Sequence, residues 1–274
     1  MSDTPPGKQA DGSYSAAWRT FTKIVLPPSI RAMMRLDWAG QEHVPASEGM
    51  ILAANHLSYM DVLALSLFVH SARRYPVFLA KSSLFEVPVL GYLMRKLGQL
   101  PVYRGQVNAG QVLNDAERIA RAGACVIFYP ESTVTRDPDK WPMVAKTGVA
   151  RMALSENIPV IPIAHWGADR ILPYGSLLPR ILPRKTVQVL AGPAVDLSEF
   201  AGQPLTSQVL RAATDKIMTD VAALLGELRH EVPPAKFYHP AVARRQFRQD
   251  MRALSEASKN ESPADSATPG ADSS

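Results

Sequence analysis

Four apolar runs of strand length, at residues 50–54, 77–80, 124–129 and 159–164, alternate with helical patterns at 58–71, 84–97, 108–122 and 143–156. A strand, a crossover helix and a second strand return the chain in the same direction, so repeated alternation dictates a largely parallel sheet covered by helices. A further strand fits 186–191. A last helix fits 207–229, where Leu210, Ala213, Ile217, Val221, Leu224 and Leu228 form one apolar stripe. The 274 residues suffice for one sizeable core without disulfide or metal. The expected fold class is therefore α/β, a mostly parallel sheet with helices on its faces and a short N-terminal amphipathic helical element.

The flanks divide the chain further. Residues 1–15 are polar, lack the charged start and apolar centre of a signal peptide, and are expected to be disordered. Over 16–36, Trp18, Phe21 and Val25 recur at near-helical spacing beside Arg19 and Lys23 until Pro27 and Pro28 interrupt. Ile30, Met33 and Met34 resume the stripe beside Arg31 and Arg35. Such a stripe suits either helices packed on the main domain or an interfacial anchor with its cations against lipid phosphates. The domain proper is expected over 37–232. A basic segment with Arg244, Arg245, Arg248 and Arg252 follows over 233–254. The last stretch, 255–274, is rich in Ser, Ala, Asp and Pro and cannot bury enough to order itself. No apolar stretch approaches the roughly 18 residues of a spanning helix.

Composition narrows the chemistry. The single cysteine, Cys125, lies in the apolar run Gly123-Ala124-Cys125-Val126-Ile127-Phe128 and reads as a buried structural thiol. Zinc-ligand spacing, a phosphate-cradling glycine loop and a Gly-x-Ser-x-Gly elbow are all missing from the sequence, which leaves acid–base chemistry and no metal or cofactor. A net charge of +5 and a pI near 9.3 suit an anionic partner. Without a nucleic-acid module, and with few aromatics outside apolar runs, nucleic acid is not the expected one.

Acid–base chemistry points to Asn55-His56-Leu57-Ser58-Tyr59-Met60-Asp61, directly after the run Met50–Ala54. A five-residue step on a helix turns about 500°, roughly 140° off one face, so His56 and Asp61 cannot meet if both are helical. Ser58 with Asp61 three residues on resembles a capping box, which starts the helix at Ser58 and leaves His56 in the turn, free to fold back onto the carboxylate. There the acid would fix the imidazole tautomer while the other ring nitrogen takes a proton. The same spacing also suits an acid that only completes the cap, beside a loop histidine with no chemical part.

Three further blocks follow in order. Gly98-Gln99-Leu100-Pro101-Val102-Tyr103-Arg104 ends in a cation. Phe128-Tyr129-Pro130-Glu131-Ser132-Thr133 exposes an acid and two hydroxyls after a strand. Val160-Ile161-Pro162-Ile163 is a strand containing proline. From about Trp38 to Gly192 these four blocks resemble the glycerolipid acyltransferase family that includes bacterial 1-acylglycerol-3-phosphate acyltransferases. The resemblance implies that His56 is the general base and Asp61 its orienting acid, and that Arg104 binds the acceptor's phosphate through its fork of donors. It implies too that Glu131, Ser132 and Thr133 position the glycerol end, with Pro162 toward the acyl donor. Ser132 departs from the family's usual glycine, restricting a position where glycine allows a positive φ. Tyr129 stands where phenylalanine is more familiar. Lys81, at the end of the run 77–80, is a second candidate cation for phosphate; Arg136, Lys146, His165 and Trp166 lie nearby in the same reading.

The implied reaction moves an acyl group from acyl-CoA or acyl carrier protein to the free hydroxyl of a lysophospholipid, foremost 1-acylglycerol-3-phosphate, giving phosphatidic acid. An acceptor held in a bilayer makes the membrane surface a partner and places the protein peripherally on the cytoplasmic face of the plasma membrane. The helical pattern around 84–97, with Arg95 and Lys96, is a second candidate for that surface. Other acceptors open to the same motifs are glycerol-3-phosphate, another lysophospholipid or a glycolipid. The alternative from a different class is a noncatalytic lipid-binding scaffold.

Overall fold

The computed structural model describes residues 20, 24–102, 109–176, 178–245 and 248–251, with backbone alone at 109–112. Its elements run α1 (Leu26–Met33), β1 (Met34–Ala39), β2 (Met50–Ala54), α2 (Asp61–Ser71), β3 (Pro76–Lys81), α3 (Pro88–Lys96), β4 (Leu100–Val102), α4 (Ala109–Arg121), β5 (Cys125–Phe128), α5 (Gly148–Glu156), β6 (Val160–Trp166), β7 (Lys185–Ala191) and α6 (Ser207–Arg229). The strands form one seven-stranded sheet in the order β1-β7-β6-β2-β5-β3-β4. Neighbours are parallel except β6 and β7, which are antiparallel. This is the mostly parallel α/β sheet that the alternation of patterns predicts.

The sheet is buried on both faces because its strands carry apolar residues on both. All five residues of β2 are buried. Met50, Leu52 and Ala54 pack with Ala64, Leu65 and Phe68 of α2, while Ile51 and Ala53 pack with Val149 and Ala150 of α5 and Ile217 and Val221 of α6. Each fully buried leucine, isoleucine or phenylalanine contributes about 1.5–3 kcal/mol, which rigidly fixes the strand that carries the site. Cys125 is buried in β5, and desolvation pushes its thiol up to about 12, so it is the inert thiol expected.

The antiparallel β6–β7 step decides which loops share an end. β2, β3, β5 and β6 finish where β7 and, beside it, β1 begin. The turn after β2, the loop after β5, α3 after β3, the loop 167–184 and α1 before β1 therefore all lie at the carboxyl end of the central strands.

Several boundaries differ from the sequence reading. α2 starts at Asp61, not Ser58. The pattern at 84–97 divides into a 3-10 turn, Ser82–Phe85, and α3, with Pro88 in its first turn. Helix at 143–156 is confined to Gly148–Glu156, because the backbone before it bonds outward: Val144 N–H to the Tyr238 carbonyl and Lys146 N–H to that of Pro130. Met34, expected to continue an amphipathic helix over 16–36, opens the edge strand β1, and Ile30 and Met34 are both buried in the core. Residues 1–15, the first part of the 16–36 element and the tail 255–274 lie outside the described residues.

Candidate active site

β2 ends at Ala54, and the next two residues leave the sheet between β6 and β5. In the turn that follows, His56 Nδ1 lies 3.0 Å from Asp61 Oδ2. The same oxygen accepts the N–H groups of Leu57 at 2.6 Å and Ser58 at 2.8 Å. Asp61 is the first helical residue and fully buried, whereas the His56 side chain keeps 11% of its surface exposed. The turn thus solves the spacing problem as expected, with the histidine outside the helix and the acid inside it. Only half of the expected capping box forms. Asp61 reaches back to the Ser58 amide, but the Ser58 hydroxyl accepts from Met60 N–H at 3.1 Å and donates to the Leu172 carbonyl at 2.7 Å.

The loop after β5 and strand β6 hold this turn. Glu131, after β5, accepts His56 N–H on Oε1 at 3.0 Å and Met143 N–H on Oε2 at 2.9 Å. Thr135 N–H donates to the His56 carbonyl at 2.7 Å. Glu131 is buried, and desolvation, opposed by these two amide donors, raises its carboxyl to about 8. Tyr129 stacks on the His56 ring, centroids 4.2 Å apart and planes 21° off parallel, and Tyr59 meets it edge-on at 6.2 Å. Burial raises the Tyr129 hydroxyl well above its ordinary range, and among the described residues that oxygen has no hydrogen-bond partner. On the other side Asn55 bonds the His165 backbone twice, accepting its N–H at 2.9 Å and donating to its carbonyl at 3.1 Å.

The remaining candidates are spread along the same sheet end. Ser132 stands at φ 62°, the left-handed conformation that glycine adopts freely, and is half-buried, as is Thr133. Lys81 is exposed at the end of β3, paired with Val102 at the end of β4. Arg104 lies outside the described residues. Pro162 is buried within β6 opposite Ala53 of β2, and Arg136 and Lys146 are exposed. The structure therefore joins His56, Asp61 and Glu131 through direct bonds. Ser132 and Thr133 lie on the loop that carries Glu131, and Lys81 lies two strands away from β2. Asn55, Thr135 and Met143 escape sequence reasoning because their parts are played through backbone groups of distant segments. His165 has one sequence signal, a basic residue in an otherwise apolar strand.

A buried acid fixing a histidine at the carboxyl ends of the central strands of an open α/β sheet defines a protein equipped for general-base chemistry on a bound hydroxyl or thiol. Residues 35–166 match the family model described as Acyltransferase. A chloroplast 1-acyl-sn-glycerol-3-phosphate acyltransferase of Brassica napus is 31% identical over 153 residues, 54% of this chain and 42% of the relative. The Bacillus subtilis 1-acyl-sn-glycerol-3-phosphate acyltransferase is 21% identical over 188 residues, 69% of this chain and 87% of that one. The crystal structure of the 1-acyl-sn-glycerophosphate acyltransferase from Thermotoga maritima superposes with a TM-score of 0.57 at 21% identity, covering 80% of this chain and 86% of that one, and so shares its fold. Together these likenesses support the glycerolipid acyltransferase family, the family model itself covering just under half of the chain. The chain spans less than half the length of the plant relative.

Proposed function

We propose that the protein transfers an acyl group from a thioester, acyl-CoA or acyl carrier protein, to the free hydroxyl of a lysophospholipid, foremost 1-acylglycerol-3-phosphate. The observation that carries this reading is the 3.0 Å contact between His56 Nδ1 and the buried Asp61. With Nδ1–H donated to the carboxylate, Nε2 carries the lone pair. Among the described residues Nε2 makes no hydrogen bond, so it is available to the acceptor's hydroxyl. That hydroxyl attacks the thioester carbonyl as Nε2 takes its proton. The tetrahedral intermediate then collapses, the C–S bond breaks, and the imidazolium returns the proton to the departing thiolate. Asp61 offsets the charge that His56 carries between the two transfers. The N–H groups of Leu57, Ser58, Met60 and Asp61 are already bonded within the turn, so the oxyanion's donors are other groups than these four.

A lipid acceptor also accounts for the surface around the site. Leu178 and Leu182 in the loop 167–184 are 79% and 77% exposed, and Val89 on α3 is 74% exposed. Arg184 joins the first of these loops to α1 by donating to the carbonyls of Arg31 and Met34. Exposed apolar side chains flanked by Arg31, Arg180, Arg184 and Lys185 suit a membrane surface with anionic headgroups, and they lie at the same end of the sheet as His56. In this reading the protein docks peripherally on the cytoplasmic face of the plasma membrane. No helix among the described residues is long and apolar enough to cross a membrane.

The test is thiol release from acyl-CoA, and from acyl carrier protein, by purified protein in detergent with and without 1-acylglycerol-3-phosphate. Acceptor-dependent release that disappears in His56→Ala is the expected result. Lipid binding without release, for this acceptor, glycerol-3-phosphate and a small panel of lysophospholipids and glycolipids, would instead make the protein a noncatalytic scaffold.

A further inference from the structure

Asp61 is unevenly served. Oδ2 takes three donors, from His56, Leu57 and Ser58, whereas Oδ1 is buried and, among the described residues, has no hydrogen-bond partner. A buried carboxylate oxygen left bare costs free energy that a native site normally avoids. A ring nitrogen stands beside it: His165 Nδ1 is 3.5 Å from Oδ1, both side chains are wholly buried, and among the described residues neither ring nitrogen of His165 has a hydrogen-bond partner. The placement follows from the sheet. β6 lies beside β2 with Ile163 opposite Ala54, and Ile161 and Ile163 belong to the core on the α2 side, so two residues further His165 meets α2's first residue. Asn55 clamps the His165 backbone from both directions, which leaves the ring little freedom to approach anything else.

We propose that His165 is a positioning residue for the base: its Nδ1–H holds Oδ1 of Asp61, fixing the carboxylate between two imidazoles, His56 on one oxygen and His165 on the other. The proposal rests on the acyl-transfer reading for its kinetic consequence, but not for the geometry itself. The 3.5 Å separation closes to a hydrogen bond by a shift of about half an ångström, and bonds of this kind are often long in unliganded sites. Burial and the neighbouring His56 lower the basicity of His165, while Asp61, Asp169 and the bond to Asn55 raise it; burial is the largest of these, and the ring is neutral with one N–H to give. Pinned at both oxygens, the carboxylate cannot rotate away from His56 when that ring cycles between neutral and protonated forms.

His165→Asn places an amide N–H near the position of Nδ1, and His165→Leu removes the donor at similar volume. In acceptor-dependent thiol release, His165→Leu is expected to lower kcat at least about tenfold with the acceptor KM within about threefold, and His165→Asn to recover most of the loss. An unchanged kcat in the leucine variant, or equal losses in both variants, would overturn the positioning role. A second measurement needs neither turnover nor a folded leucine variant. Nitrogen NMR of the histidine-labelled wild-type protein, assigned with His165→Asn, should show His165 as the neutral Nδ1–H tautomer, its Nδ1 signal moving in Asp61→Asn. An Nε2–H tautomer, or no response to Asp61→Asn, would refute the contact. Because this result is independent of acylation, a protein without thiol release in any assay would count against the acyltransferase reading while leaving the His165 contact separately judged.

Discussion

Glu131 shows how a single side chain organises the site through backbone groups. Its two oxygens tie the His56 amide to the Met143 amide, so it fixes the turn that presents His56. Glutamine at this position keeps one acceptor but turns an NH2 toward an N–H. Glu131→Gln should therefore cost about 1–3 kcal/mol in stability, read from urea unfolding, and lower kcat. Its titration has a definite sign. The folded carboxyl, raised from 4.5 to about 8, binds a proton that the unfolded chain has already released. The stabilisation is complete below about pH 4.5 and is lost as pH rises through about 8, so unfolding midpoints across this window should fall more steeply for the wild type than for Glu131→Gln. Ser132 holds a left-handed φ of 62° on the same loop, and Ser132→Gly should relieve it, raising stability by about 0.5–1 kcal/mol in thermal unfolding. The pairing of His56 with Asp61 was legible because five-residue spacing after an apolar run permits few geometries. The clamp by Glu131 was not, since its partners are backbone amides 75 and 12 residues away in sequence.

The secondary structure was legible where period and punctuation agree. α6 matches its expected limits, Ser207–Arg229, because an apolar stripe follows a capping threonine: Thr206 accepts the Val209 N–H at 3.3 Å. Thr206→Ala should remove that cap and cost about 1 kcal/mol in global stability, read from chemical unfolding, since α6 packs along β6 and cannot fray alone. Where a segment's fate depends on distant partners, period misleads. β1 reads as the end of a helix because Met33 and Met34 fit the stripe of Ile30, yet pairing with β7 draws Met34–Ala39 into the sheet. Residues 143–147 carry an apolar pattern but bond to Glu131, Pro130 and Tyr238, which excludes them from α5. β4 has only three residues, too few to show an alternation.

The antiparallel pairing of β6 with β7 brings α1 and the loop 167–184 to the end of the sheet that holds His56, where α3 also lies because it follows the parallel strand β3. Sequence reading suggested a lipid-facing role for 16–36 and 84–97; the exposed Leu178 and Leu182 add a third segment that no periodicity marked. If this end docks on a bilayer as proposed, the protein should sediment with vesicles containing anionic lipid, less so at high salt. Leu178→Ser with Leu182→Ser should weaken that binding at least about tenfold, because each leucine withdrawn from the acyl boundary forfeits about 1.5–3 kcal/mol. Binding indifferent to both salt and the double substitution would place the membrane face elsewhere on the molecule. The proposed acyl transfer depends on Asp61 orienting His56. The direct measurement is acceptor-dependent thiol release by Asp61→Asn, with folding verified by its unfolding transition. Loss of the aligned carboxylate should lower kcat by about 10³–10⁴-fold, as in other acid–histidine pairs. A folded Asp61→Asn protein within about threefold of wild type would contradict the account.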